Sequence, residues 1–143
     1  MLLLVFSACD VRFMGMKSDP YDQLSAKVDH PERIKQGQPF ELKVTVENNS
    51  PNELVIPNRC HLSARSYVNN EFTPLRGLGG GCSTARDHEL QRGESFTYTY
   101  DMQTQVYAGD GEYAPAPPGN YELTIEAIRQ EEFPEVVVNF EVI

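Results

Sequence analysis

Tryptophan is missing from these 143 residues, and histidine and cysteine occur only three times each. Cations are scarce as well, since 12 Lys and Arg face 21 Asp and Glu for a formal net charge of −9. Nucleic-acid binding needs Lys and Arg gathered on one face to displace counterions, so this balance excludes a nucleic-acid partner. Long apolar runs are absent too. The most apolar stretch, Met1 to Ala8, holds eight residues, whereas a membrane-spanning helix needs roughly 20. His30, His61 and His88 stand in no nucleophile motif, and nucleophilic catalysis requires an oriented imidazole beside Ser or Cys. Carboxylate pairs such as Asp87 with Glu89, or Glu131 with Glu132, arise by chance in a chain this acidic. No catalytic residue, cofactor or resident metal is expected. The length suits one domain with its own core.

What is present begins at Cys9. Leu4-Val5-Phe6-Ser7-Ala8-Cys9 resembles a bacterial lipobox, in which an apolar segment ends in small residues before a cysteine that is diacylated and becomes N-terminal. The resemblance implies a partial signal peptide over 1–8, a lipidated Cys9 with a polar tether over 9–23, and a domain over 24–143. Two acyl chains anchor stably where one is marginal. No Lys or Arg precedes Arg12, and a signal peptide has a basic n-region, so a start upstream of Met1 is expected. With Cys9 so assigned, export leaves Cys60 and Cys82 to pair, closing a loop of about 20 residues worth roughly 3 kcal/mol. The alternative is a zinc set of Cys60, His61, Cys82 and His88, whose spacing departs from the close pairs of known zinc sites.

Period-2 patterning dominates the remainder. In Pro39–Glu47, Phe40, Leu42, Val44 and Val46 alternate with Glu41, Lys43, Thr45 and Glu47, which places the apolar set on one face of a strand. Asn48 to Asn52 reads as a turn, because Asn and Ser bond their own backbone and Pro presets one dihedral. Glu53–Ile56 and His61–Val68 read as further strands, and Asn69-Asn70 as a tight hairpin turn returning through Phe72–Leu75. Glu94–Tyr100, Tyr121–Ala127 and Val136–Val142 alternate in the same way. No segment sustains a helical period. The expected fold is all-β, an antiparallel β-sandwich of seven or eight strands.

Two strand starts carry a further likeness. Leu90-Gln-Arg-Gly-Glu-Ser-Phe and Pro118-Gly-Asn-Tyr-Glu-Leu-Thr-Ile125 resemble the "L-x-P-G-E-S" and "P-G-x-Y-x-L-x-V" segments of bacterial immunoglobulin-like modules. With Val44–Ser50 and Leu54–Pro57, their order is similar to the bacterial intracellular proteinase inhibitor family. This resemblance implies an immunoglobulin-like sandwich over about Lys27 to Ile143, and a lipoprotein kinship. Where that family has an aromatic-acidic motif after its third strand, this chain has Cys60-His-Leu-Ser-Ala-Arg-Ser-Tyr67.

The favoured expectation is a lipid-anchored, non-catalytic module of the bacterial cell envelope that binds another envelope protein. The alternative is a proteinase inhibitor presenting an exposed loop. Met102–Pro118 is the main site candidate, since unstructured loops longer than about 12–15 residues tend to be functional. Tyr107, Asp110 and Tyr113 are its candidate partner-binding residues. Arg76 and Arg86 belong to a rival, glycine-rich surface over Arg76–Asp87. That stretch is not a phosphate cradle, because no helix follows it.

Overall fold

The computed structural model describes residues 23–78, 86–128 and 133–143. Residues 1–8, Cys9, most of the tether, Cys82, and the Glu131–Glu132 pair lie outside the described residues. The described residues form twelve strand segments in order: β1 (Leu24–Asp29), β2 (Arg33–Ile34), β3 (Pro39–Asn48), β4 (Leu54–Ile56), β5 (Leu62–Val68), β6 (Glu71–Phe72), β7 (Leu75–Arg76), β8 (His88–Leu90), β9 (Ser95–Gly109), β10 (Glu112–Pro115), β11 (Gly119–Ala127) and β12 (Val136–Val142). Several are two-residue edge pieces, which is why the segments outnumber the seven or eight strands expected from alternation.

One sheet runs β1-β3-β9-β10 with β7 also on β9, the other runs β2-β12-β11-β5-β6, and β4 pairs β8 in a separate ribbon. Among the described residues every pairing is antiparallel except β2 with β12. From β1 in one sheet the described chain changes sheets between Asp29 and Arg33, and it ends with β11 lying between β5 and β12. This is the order of an immunoglobulin-like sandwich. Its tyrosine corner is here as well: Tyr121, at the start of β11, donates its hydroxyl to the Pro117 carbonyl at 2.8 Å.

The alternation seen in the sequence becomes the core. Leu42, Val44 and Val46 of β3, with Tyr98, Tyr100 and Met102 of β9, face Leu123 and Ile125 of β11 and Val138, Phe140 and Val142 of β12. Phe40 meets Phe140 across the sheets at 5.4 Å, and Phe140 stacks on Tyr121 at 5.6 Å. Each such side chain contributes about 1.5–3 kcal/mol through burial. Asn69 and Asn70 form the expected hairpin turn with φ of 53° and 64°, and pair Val68 with Glu71.

The return strand departs from expectation. Only Glu71 and Phe72 pair with β5, after which the chain crosses to the other sheet and Leu75–Arg76 joins β9. Buried Ser66 guides the crossing, because its hydroxyl donates to Thr73 O at 2.6 Å and accepts from Leu75 N at 3.1 Å. Gly77 then lies so close to β9 that a Cβ would collide with the Asp101 carbonyl oxygen, and its φ is +104°. Only glycine fits both demands.

Candidate functional site

The expected Met102–Pro118 loop is a β-hairpin, which corrects the reading of an unstructured loop. β9 continues beyond its pairing with β3 and turns back through Asp110 and Gly111, whose φ values of 52° and 77° suit a two-residue turn. Asp-Gly is a strong hairpin signal, and it was the clue in the sequence. A register shift leaves Ala108 without a partner and sets Tyr107 opposite Tyr113.

The hairpin is pinned at its base. The hydroxyl of buried Thr104 shares its one proton between Lys35 O at 2.8 Å and Gln38 O at 3.1 Å, while the Thr104 carbonyl accepts from Gly37 N and Ala116 N. Gln36 Nε2 adds a bond to Ala116 O at 2.8 Å. Polar Thr104 is therefore an inward residue, held by the backbone rather than by apolar packing.

On the outward face Arg76 of the rival surface joins the two tyrosines. Tyr107 and Tyr113 meet edge to face at 5.7 Å, and the Arg76 guanidinium lies 4.1 Å from the centre of the Tyr113 ring. Arg76 Nη1 also donates to Gln105 Oε1 at 2.9 Å. The register explains the meeting, since Arg76 pairs with Gln103, and Gln103, Gln105 and Tyr107 share one face of β9. The Tyr107 hydroxyl accepts from Gly111 N at 3.0 Å, which locks the turn against the ring. Tyr107 and Tyr113 remain 60% and 42% exposed, enough for both to contact a partner. Asp110 sits exposed at the tip, and Arg86 is exposed and makes none of these contacts.

Arg59 holds β7 in place from the other side. Its guanidinium lies over the Tyr100 ring at 4.2 Å and donates to Thr99 O and Gly77 O, each at 3.2 Å. Arg59 belongs to a 3₁₀ turn, Arg59–His61, that Asn58 caps by accepting from Cys60 N at 2.8 Å. Asn58 also donates to Asp87 through its backbone and its side chain, each at 3.0 Å. The backbone bond is the main reason that the Asp87 carboxyl sits below its ordinary value, with His61, 3.5 Å away, acting in the same direction. His88 stacks on Phe96 at 3.7 Å, apart from that pair. Among the described residues, no group of three or more His, Cys, Asp and Glu is placed to hold a metal ion.

No family profile matches the chain, and none of the curated proteins matches it. Among solved structures it is similar to a β-glucosidase from Erythrobacter marinus, with a TM-score of 0.50 and 10% identity over 84% of this chain and 15% of that one. It is also similar to a Listeria innocua β-glucosidase in complex with gluconolactone, at 0.49 and 16% identity over 83% of this chain and 16% of that one. A third is the CARDB domain of a Pyrococcus furiosus protein in complex with di-metal ions, at 0.48 and 14% identity over 84% of this chain and 87% of that domain. The chain therefore spans about a sixth of the glucosidases it matches. Identities this low speak to fold and not to activity.

Proposed function

We propose that this chain is a non-catalytic binding module that grips a partner protein through the Tyr107–Tyr113–Arg76 face of its hairpin. The observation that carries the reading is the exposed aromatic pair with an arginine already laid against it. Tyr and Arg dominate binding hot spots. Holding them in place before binding lowers the ordering cost, which runs to about 0.5–1.5 kcal/mol for each flexible side chain. The partner in this reading is another protein of the bacterial envelope. The module is tethered there by the lipid on Cys9, a proposal that rests on Ser7-Ala8-Cys9. In the same proposal Cys60 takes Cys82 as its disulfide partner.

A photo-crosslinker at Gln105, on the same face, tests the reading in the native membrane. Wild type should give one dominant adduct, and the Tyr107→Ala, Tyr113→Ala double variant should lose it, with affinity falling about 30-fold or more. The double variant should stay folded while losing about 1–3 kcal/mol, because the edge-to-face pair and the Tyr107 hydroxyl bond leave with the rings. Arg76→Ala should weaken the same adduct, whereas Arg86→Ala should not. An undiminished adduct in the double variant would overturn the assignment.

A further inference from the structure

We propose that the outer face of the β12–β11–β5 sheet is a second binding site, whose ligand is a neutral glycan. A concavity of about 910 Å³ opens there, between the segment joining β1 to β2 and the Asn69–Asn70 turn. Its size falls within the roughly 300–1,000 Å³ of small-ligand sites. Strand register builds its floor: Asn139 of β12, Glu122 of β11 and Tyr67 of β5 are direct cross-strand neighbours in one row. In the next row Asn120 stands opposite Glu141. Phe72 packs against Tyr67 at 5.7 Å and 62°, fixing the pose of that ring.

The chemistry of the lining selects the ligand. Glu141 is engaged by Arg33 at 3.1 Å, but among the described residues the Asn120 and Asn139 amides and the Glu122 carboxylate have no side-chain partner. No Lys or Arg lines the concavity, its one imidazole, His30, has its Nδ1 on Pro31 O at 2.9 Å, and the carboxylates of Glu32, Glu122 and Glu141 line it, so an anionic ligand would be repelled. A metal ion is disfavoured by the absence, among the described residues, of a three-residue ligand group. Each amide offers both a donor and an acceptor, and a carboxylate accepts twice, which matches hydroxyls that themselves donate and accept. The Tyr67 ring supplies an apolar surface against which the C–H face of a sugar can stack. A peptide strand would instead pair with the backbone of a sheet edge, whereas this site lies on a face and reads only through side chains.

The test is NMR titration of the ¹⁵N-labelled full chain with three neutral hexasaccharides, built of β-1,4-glucose, β-1,3-glucose and β-1,4-N-acetylglucosamine. At least one should saturate with a Kd on the order of 0.1 mM, with shifts confined to Tyr67, Glu122, Asn139 and the Asn120 side-chain amide. Asn139→Ala should weaken it tenfold or more, and Glu122→Gln should weaken it less. The Tyr107→Ala, Tyr113→Ala variant should bind the sugar as wild type does, which separates this site from the hairpin. Absence of localised shifts with all three sugars up to about 10 mM, a hundredfold above the expected Kd, would overturn the proposal. So would the same shifts induced by trilysine and abolished by Glu122→Gln, which would identify a site for basic peptides.

Discussion

Replacing Asn48 by Ala should be among the most damaging single changes to this sandwich, although Asn48 lies at a strand end. Its side chain is fully buried, its amide donates to Asn52 O at 2.8 Å and Leu90 O at 2.9 Å, and its carbonyl oxygen accepts from Ser50 N at 2.8 Å. The Asn52 carbonyl keeps a second donor, the Ser50 hydroxyl at 2.8 Å. Ser50 N and Leu90 O lose what Asn48 supplied. At about 1–3 kcal/mol for each buried group left unpaired, the cost is about 2–6 kcal/mol. With a urea slope of about 1–3 kcal/mol per molar, the unfolding midpoint should fall by at least about 0.7 M. Asn48→Asp keeps the acceptor for Ser50 but aims lone pairs at two carbonyls, so it should be no better than Ala. A midpoint within about 0.3 M of wild type for the Ala variant, at unchanged slope, would refute the reasoning.

Three further outcomes follow, one from Asp87 and two from the cysteines. The folded Asp87 carboxyl is held below 3.8, first by the Asn58 backbone N–H, so its contribution to stability is complete above that value and is lost as pH falls through the lowered one. Acid unfolding should be shallower in Asp87→Asn than in wild type, and parallel curves would remove this role. Labelled palmitate should enter wild type and not Cys9→Ser, with label persisting in the variant counting against the anchor; a non-reducing peptide map should join Cys60 to Cys82.

The strands that alternation made legible are those with apolar residues inward and polar residues outward, namely β3, the first half of β9, β11 and β12. The second half of β9 escaped because Gln103, Thr104 and Gln105 are all polar, and Thr104 earns its inward place by hydrogen bonds that a hydropathy pattern does not record. Tyr107 and Tyr113 were visible as a pair of exposed aromatics. Their union with Arg76 was not, since it depends on a sheet crossing set by Ser66 and Gly77 and on register between strands distant in sequence. The Tyr67, Glu122 and Asn139 row likewise exists only once three strands are aligned.

β9 is one 15-residue strand whose first part lies in the core against β3 and whose last part carries the hairpin face. Such continuity joins recognition to folding thermodynamically, because the grip of Tyr107 and Tyr113 exists only while the strand beneath them is paired. A partner held there stabilises the whole sandwich by mass action, by about 2.7 kcal/mol when its free concentration is a hundred times its Kd. Thermal denaturation of the intact domain thereby becomes a reporter of hairpin occupancy, and candidate partners can be ranked by the melting shift they cause without any assay of activity.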